Sequence, residues 1–335
     1  MVNALDQVGP GRDGRSVAAE DDHAVGPDGG GPTGELALIG TTASGKSALA
    51  LAIARIHPDI ELVSVDSMQV YRGMDIGTAK PSPAELAAVR HHLIDVADPD
   101  EEYTVARFVD EVAAVRVAVA ARGHRCLFVG GTGLYLRAVV DRLDVPGQFP
   151  EVRARLDADP ETAALHHRLA ELDPDAAARM EPTNRRRVVR ALEVTEGSGR
   201  RFSSFGPGLT AYPPSNVRLL GIRLPRPVVD ARIEARYRAQ LDAGFVDEIR
   251  TLTARPGGLS RTAAQALGYK ELLAHVTGDV PLDAAIDDAV TRTRRFARRQ
   301  ERWFRRDPRI TWFEPPADDP DPQAILPDLL AALDR

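Results

Sequence analysis

The most constraining feature of this chain is the octapeptide GTTASGKS, which fits the phosphate-loop pattern G-x-x-x-x-G-K-[ST]. A short apolar run, residues 36–39, precedes it, and helical apolar spacing follows over residues 48–56. Strand, loop and helix in this order direct backbone N–H groups and a helix N-terminus at a bound phosphate. Lys46 adds a mobile positive charge, and the Ser47 hydroxyl is placed to bind Mg²⁺. The loop alone does not distinguish kinases, other NTPases and transferases.

Two more apolar runs, residues 61–65 and 125–129, alternate with helical patterns. This alternation predicts a parallel sheet, whose ligands lie beyond the carboxyl ends of the strands. The loops at Gly40, Asp66 and Gly130 should therefore open onto one edge. We predict an α/β fold, a P-loop NTPase-like parallel sheet core flanked by helices, with an inserted all-helical subdomain.

Changes in composition divide the chain into five parts. Residues 1–34 are rich in Gly, Asp and Pro and are expected to be a disordered leader. Residues 35–140 should form the first part of the core, and residues 141–212, where strand patterns give way to charged helical ones, should form a helical insertion. Residues 213–315 should complete the core, starting with the apolar run 217–224 and ending in basic helices. Residues 316–335 are expected to be a C-terminal tail.

Bulk properties exclude several classes of protein. The 335 residues are 43% hydrophobic, enough for a large core and a smaller appended unit. With one cysteine, Cys126, neither a disulfide framework nor a Cys-based zinc site is possible within a single chain. No long uncharged apolar run and no signal-peptide pattern occurs, so we expect a soluble cytoplasmic protein.

Asp66 follows the second predicted strand and should face the phosphate loop across the sheet edge. A carboxylate there could activate a hydroxyl in a kinase or accept a proton from an amine in an alkyl transferase. The alternative is that Asp66 only caps the following turn.

Arginine is concentrated near the C-terminus although the net charge of the chain is −6. Residues 292–309 contain nine arginines but only two acids, Glu301 and Asp307. Their near-helical spacing suits nucleic-acid phosphates. The alternative is a solvated helix face with internal ion pairs. A second cluster consists of Arg185, Arg186, Arg187 and Arg190.

Several motifs in one order resemble the tRNA dimethylallyltransferase family. GTTASGKS is followed by DSMQVYRGMDIGTAK at 66–80, HLID at 92–95, VGGTGLY at 129–135, RALEV at 190–194, LGYK at 267–270 and the arginine-rich segment. The resemblance covers residues 36–312. It departs from the family at Thr41, where proline is usual, and at Ser47, where threonine is common, but neither change removes a needed group. The lack of a downstream Cys/His cluster predicts a bacterial-type enzyme without the zinc-finger extension of eukaryotic relatives.

The resemblance implies transfer of a dimethylallyl group from dimethylallyl diphosphate to N6 of adenosine-37, beside the anticodon. The tRNAs would be those reading codons that start with U, and the products N6-(dimethylallyl)adenosine and pyrophosphate. Catalytic roles would fall to Asp66, Lys46, Thr132 and Arg236, and Mg²⁺ would bind at Ser47. The resemblance assigns pyrophosphate or nucleotide binding to Gly40, Thr41, Thr42, Ala43, Ser44, Gly45, Lys46 and Ser47. Arg236 would lie against the pyrophosphate; the alternative is that it is an exposed helix charge paired with Glu234 or a neighbour. For His91 and His92 the alternative to a role in the site is that they only shape the loop edge.

The partners implied are the anticodon stem-loop of tRNA and dimethylallyl diphosphate, with no membrane and no obligate protein partner. The target adenine should be flipped out of its stack to reach a buried carboxylate. The residues implied to contact tRNA are Asp66, Ser67, Met68, Gln69, Thr132, Arg153, Arg186, Arg187, Val188, Val189, Arg190, Gln265, Ala266, Leu267, Gly268, Tyr269 and Lys270.

Three other functions share part of this pattern. A small-molecule kinase would use the loop and Asp66 but leaves the arginine-rich segment unexplained. An adenylate isopentenyltransferase would keep the core motifs but has no need of an RNA-binding insertion. A non-catalytic RNA-binding protein predicts loss of Lys46 or Asp66, and both are present.

Overall fold

The computed structural model describes residues 34–206, 208–209 and 211–333. They contain a six-stranded parallel sheet with the order β3-β2-β4-β1-β5-β6. The predicted α/β class, a parallel sheet flanked by helices, is confirmed. The predicted leader lies outside the described residues except for Gly34. The strands are β1 Leu36–Gly40, β2 Ile60–Val65, β3 His91–His92, β4 Arg125–Gly130, β5 Arg218–Ile222 and β6 Ile310–Phe313.

Helices cover both faces of the sheet. None of those described is long and apolar enough to cross a membrane. The helices are α1 Lys46–Ile56, α2 Pro83–Ala88, α3 Val105–Ala120, α4 Gly133–Val140, α5 Pro150–Ala158, α6 Thr162–Leu172, α7 Pro174–Ala178, α8 Arg185–Ser198, α9 Arg226–Asp242, α10 Phe245–Thr253, α11 Tyr269–Val276, α12 Leu282–Phe304 and α13 Leu326–Leu333.

The central strand shows why an unbroken apolar run forms a strand here. Successive side chains of β1 point to opposite faces, and both faces are covered. Ala37 and Ile39 therefore enter one hydrophobic cluster, while Leu36 and Leu38 enter another on the opposite face. All four side chains are fully buried.

Helices α5 to α8 form a separate helical unit around their own hydrophobic cluster. Leu156, Leu165, Leu169 and Leu192 are buried in it. Asp173 begins α7 by accepting a hydrogen bond from the backbone N–H of Ala176 at 3.1 Å. This unit occupies the middle of the segment expected to be a helical insertion.

Strands β3 and β6 and helix α13 are among the elements that were not anticipated from the sequence. Strand β3 has only two residues, and β6 lies directly after the arginine-rich helix, so neither gives a recognisable run. The segment expected to be a tail contains α13, whose Leu329 and Leu333 pack with α1 in the same hydrophobic cluster. The tertiary contacts of these short segments, rather than local propensity, determine their structure.

Candidate active site

The loops after β1, β2 and β4 meet at the carboxyl edge of the sheet. Gly130 pairs with Val65, and a Cβ at Gly130 would lie 2.1 Å from the Val65 carbonyl oxygen, so only glycine fits. Beyond this pair, the Ser67 N–H donates to Thr132 Oγ1 at 3.2 Å. The loops carrying Asp66 and Thr132 are therefore joined, as expected from parallel topology.

The phosphate loop leads directly into α1. Gly45 takes a left-handed conformation with φ of 87°, which suits glycine at the start of this helix. The Lys46 Nζ turns back over the loop and donates to the Thr41 carbonyl oxygen at 3.1 Å. Ser44 is fully buried, and its hydroxyl has no partner among the described residues. The Ser47 side chain is exposed at the start of the helix.

The charge of Lys46 is held in a partly desolvated site. Burial lowers its pKa from 10.5 to about 8, with the Asp66 carboxylate acting to raise the value and the Arg236 guanidinium to lower it further. Lys46, Asp66 and Arg236 thus form one electrostatic group. A diphosphate entering this group would add the negative charge that favours protonated Lys46.

Arg236 reaches the phosphate loop from α9. Its Nη1 donates to Thr42 Oγ1 at 3.1 Å, and its Nη2 donates to the Gly77 carbonyl oxygen at 3.1 Å. It is half-buried and makes no ion pair within the described part of the chain, whereas Glu234 pairs with Arg294. The structure therefore places Arg236 at the site rather than in a surface pair with Glu234.

Asp66 is held with one oxygen free of protein hydrogen bonds. Its Oδ1 accepts from the Met68 N–H at 2.9 Å, and Oδ2 accepts no hydrogen bond from any described residue. Nearby, Gln69 Nε2 donates to the carbonyl oxygens of Thr78 and Ala79 at 3.2 Å each. Asp66 therefore both stabilises its turn and presents a free oxygen.

The loop of residues 74–79 is fixed by helices from the C-terminal half. Glu248 accepts the backbone N–H groups of Asp75, Ile76 and Gly77 at 2.9, 2.7 and 3.2 Å. The Tyr269 hydroxyl also donates to Glu248. Tyr269 is thus a buried support for this loop. The role of Glu248 was not predicted from the sequence, because Glu248 belongs to none of the quoted motifs.

Gln300 is a second site residue that sequence reasoning missed. Its Oε1 accepts from the Thr42 N–H at 2.8 Å, and its Nε2 donates to the Gly131 carbonyl oxygen at 2.8 Å. A signal was present, because residues 293, 297, 300 and 304 follow the apolar face of α12 and are buried. A polar residue on a buried helix face predicts a hydrogen-bonding role.

The residues expected to contact tRNA differ in exposure. Arg186, Arg187, Gln265 and Lys270 are exposed, and Ser67, Met68 and Leu267 are half-buried. Buried positions comprise Val188, Val189, Ala266, Gly268 and Tyr269. The side chains of these buried positions are therefore not presented to a ligand in this structure.

Two expected RNA contacts in the helical unit converge on a buried carboxylate. Arg190 donates to Glu193 at 2.7 Å, and Arg153 lies 3.6 Å from the same side chain. Arg153 also donates to Asp157 at 2.7 Å. The structure does not join these two arginines to the sheet edge, because their hydrogen bonds remain in the helical unit and its linker.

The arginine-rich segment has more acidic partners than its local sequence indicates. Arg294 pairs with Glu234 of α9, and Arg292 lies 3.3 Å from Glu271 of α11. Arg309 also has acidic partners. The remaining six arginines are exposed and make no ion pair within the described ranges: Arg295, Arg298, Arg299, Arg302, Arg305 and Arg306.

His91 and His92 lie on edge strand β3 rather than in the site. His92 Nε2 contacts Glu61 Oε2 at 2.6 Å. Burial alone would raise the pKa of Glu61, but hydrogen bonds from Arg122, His92 and His124 lower it to about 2. This ion cluster ties together β2, β3 and the segment before β4.

Comparison with known proteins identifies the family. The IPP transferase family model matches residues 69–307. The chain is 48% identical over 307 residues to a tRNA dimethylallyltransferase of Kineococcus radiotolerans, covering 89% of this chain and 96% of that one. It is 45% identical over 289 residues to the tRNA dimethylallyltransferase of a Nocardioides species, covering 85% and 92%.

Solved structures give the same assignment. The full-length tRNA isopentenylpyrophosphate transferase of Bacillus halodurans aligns with a TM-score of 0.64 and 35% identity, covering 90% of this chain and 97% of that one. A eukaryotic dimethylallyltransferase acting on tRNA aligns with a TM-score of 0.72 at 24% identity, over 90% and 80%, which shows the shared fold. The resemblance read from the motifs is confirmed, and the chain belongs to the IPP transferase family of tRNA dimethylallyltransferases.

Proposed function

We propose that this protein is cytoplasmic and transfers the dimethylallyl group of dimethylallyl diphosphate to N6 of adenosine-37 in tRNAs that read codons starting with U. The products are N6-(dimethylallyl)adenosine and pyrophosphate. The observation that carries the proposal is the convergence of a phosphate loop, two cations and a free carboxylate oxygen at one sheet edge. Lys46, Arg236 and Asp66 supply these charges.

The phosphate loop would stabilise the leaving group. Breaking the allylic C–O bond leaves negative charge on the diphosphate. Backbone N–H groups of the loop, Lys46 and Arg236 would meet that charge from positions fixed before the reaction, which is the condition for electrostatic catalysis. Arg236 is held there by its two hydrogen bonds.

Asp66 would orient the exocyclic amine and accept its proton. Its Oδ1 is fixed by the Met68 N–H, which leaves Oδ2 to face the incoming nitrogen. An exocyclic amine is a weak nucleophile, so its alignment with the allylic carbon contributes as much as proton removal. Thr132 holds the Asp66 loop through the Ser67 N–H, and it would thereby fix the distance between the reacting groups.

Mg²⁺ fits the site only together with the diphosphate. Among the described residues no cluster of three or more acidic, histidine or cysteine side chains could hold a metal ion. Ser47 offers one exposed hydroxyl beside the phosphate loop. Mg²⁺ commonly binds through few protein groups and through substrate phosphates, so Ser47 would provide the protein ligand. The bound ion would neutralise charge on the departing pyrophosphate.

The exposed arginines would bind the anticodon stem-loop. Arginines that lack an acidic partner bind phosphates at the lowest desolvation cost. Six arginines of residues 292–309 lack such a partner among the described residues. Arg186 and Arg187 would add contacts from the helical unit. The adenine must leave its stack to reach Asp66, as enzymes acting on bases require.

A product assay tests the proposal against its rivals. The protein is incubated with dimethylallyl diphosphate labelled in the five-carbon group and with unmodified tRNA, AMP or ATP. We expect label in tRNA only, at a purine next to the anticodon. Label in AMP would indicate an adenylate transferase, and release of ADP from ATP without label transfer would indicate a kinase.

The Asp66→Asn variant tests the assigned proton acceptor. Loss of the carboxylate should lower kcat by about 10²–10⁴-fold, because asparagine cannot accept the proton. Binding of the stem-loop should change little. Asp110→Asn, at an exposed position of α3, is the matched control and should retain activity. Full turnover by Asp66→Asn would remove Asp66 from this role.

A further inference from the structure

Gln300 is a buried polar side chain that the chemistry above does not use. It is 7% exposed, and both ends of its amide are bonded to backbone groups of the site. Its oxygen accepts the Thr42 N–H of the phosphate loop, and its nitrogen donates to the Gly131 carbonyl oxygen of the loop after β4. Both bonds are 2.8 Å long, within the normal range.

These bonds join three segments that are far apart in the sequence. Residues 42 and 300 are 258 positions apart, and residues 131 and 300 are 169 apart. Gln300 lies on α12 between the exposed arginines Arg299 and Arg302. Because the helix is one continuous element, the position of Gln300 also sets the position of these arginines relative to the phosphate loop.

The backbone at Gly131 lies very close to the Gln300 amide. A Cβ added at Gly131 would lie 2.4 Å from Gln300 Nε2 and 3.1 Å from the Gly40 carbonyl oxygen. Gly131 therefore allows the close approach of the amide. On the other side, Thr42 is held between Gln300 at its backbone and Arg236 at its side chain.

We propose that Gln300 is a positioning residue that fixes the phosphate loop and the Thr132 loop against the arginine-bearing helix. It sets the alignment of donor and acceptor in the chemical step rather than the affinity for either substrate. This inference rests on the proposed prenyl transfer. Its physical basis is that the Gln300 side chain is buried and both ends of its amide are bonded to backbone groups of these two loops, so its contacts hold the protein rather than diphosphate or RNA.

The first test removes the amide of Gln300 and keeps a side chain of similar length. Gln300→Met should lower kcat by about 10–100-fold, because small misplacement of reacting groups costs rates of this order. KM for dimethylallyl diphosphate and Kd for an anticodon stem-loop should stay within about threefold of the wild-type values. Gln323→Met, an exposed glutamine whose side chain makes no hydrogen bond to described residues, is the control and should behave as wild type.

The second test keeps Gln300 and moves it. Gly131→Ala should lower kcat to a similar extent, since the new methyl group displaces the Gln300 amide. In a Gln300→Ser background that amide is absent, so Gly131→Ala should cost much less than in the wild type. This dependence of one substitution on the other measures coupling directly. Circular dichroism and thermal melting establish that each variant is folded.

The outcomes separate the inference from the proposed function. If the wild-type protein transfers no prenyl group to tRNA, the proposed function fails. If the wild type is active and Gln300→Met keeps its kcat, the positioning role is overturned. Loss of stem-loop affinity at unchanged kcat would make Gln300 an RNA contact instead, and strictly additive effects of the Gly131 and Gln300 substitutions would also contradict the inference.

Discussion

The sheet edge and the helical unit hold their polar side chains in different ways. At the edge, Arg236, Glu248 and Gln300 reach partners more than 150 residues away. In the helical unit, Arg153 pairs with Asp157 and Arg190 with Glu193, four and three residues along the same helix. The edge is fixed by contacts between segments more than 150 residues apart, whereas the ion pairs of the helical unit, including that of Arg155 with Glu196, stay within the unit.

This difference matches what each region must do. A site for charge development needs groups that are in place before the reaction, since reorganisation during the reaction would raise the barrier. A surface for RNA needs exposed cations, which can adjust to the ligand. Substitutions at the edge should therefore change rates, and substitutions on exposed helix surfaces should change affinity and its salt dependence.

Lys46→Met should give the largest effect in this comparison. Removing the charge that faces the diphosphate should lower kcat by about 10²–10³-fold, as removal of one preorganised donor does elsewhere. The comparison variant is Lys270→Met, which removes an exposed lysine expected to contact tRNA. It should raise KM for tRNA and leave kcat at saturating tRNA nearly unchanged. Equal loss of kcat in both variants would contradict the distinction between the regions.

The lowered pKa of Lys46 gives a second prediction at the edge. Diphosphate binds the protonated amine, so affinity for inorganic pyrophosphate should begin to fall as the pH rises through about 8. An ordinary lysine would hold its charge to about pH 10.5. Titration calorimetry of the wild type and of Lys46→Met between pH 7 and 9.5 checks this, because ionisation of pyrophosphate itself is common to both. A constant ratio of their affinities across this range would refute it.

Two glycine-to-alanine substitutions compare packing in the two regions. A Cβ at Gly77 would lie 2.2 Å from a ring carbon of Phe245 and 2.4 Å from one of Tyr269, so Gly77→Ala should cost about 1–3 kcal/mol. Gly199 ends α8 with φ of 69° and open space around it. Gly199→Ala should therefore cost about 1 kcal/mol, from the left-handed backbone alone. Urea unfolding of both variants measures the difference.

Activity distinguishes the same two variants independently of stability. The carbonyl oxygen of Gly77 accepts from Arg236 and Gln240, so displacement of this loop should also lower kcat. Gly199→Ala should not change kcat. If Gly77→Ala destabilises the fold but keeps full kcat, the loop supports the fold without positioning Arg236.

The sequence predicted those parts of the fold whose signals are local. The apolar run of β1, the GTTASGKS motif and the helical pattern after it lie within 21 residues, which together specify strand, loop and helix. Asp66 and Thr132 could be placed at the same edge because parallel strands end there. Strands β3 and β6 are too short for a periodic signal, and their pairing partners determine them.

The parts that could not be predicted depend on contacts between distant segments. Glu248 supports residues 75–77 across more than 170 positions, and no local pattern indicates this. Family motifs located Val188 and Tyr269 but not their burial, because a motif gives the position of a residue and not its surroundings. The count of two acids near the arginines also omitted Glu234 of α9 and Glu271 of α11, which pair with Arg294 and Arg292.

The smallest effects are expected from the exposed arginines. Arg298→Ala with Arg302→Ala, or Arg186→Ala with Arg187→Ala, should each reduce the salt slope of stem-loop binding by about 1 to 2, since each pair releases up to two counterions. The control is Arg55→Ala, at the far end of α1 from the phosphate loop, which should leave the slope unchanged.

Arg294→Ala separates paired from unpaired arginines on the same helix. Because Arg294 is already neutralised by Glu234, its loss should leave the salt slope close to wild type, unlike loss of Arg298 and Arg302. Fluorescence anisotropy of a labelled stem-loop from 50 to 300 mM salt provides the slopes. If Arg294→Ala reduces the salt slope as much, per charge removed, as the substitutions of Arg298 and Arg302 do, then RNA displaces Glu234 from Arg294. In that case the ion pairs seen in the free protein would not identify which arginines bind phosphate.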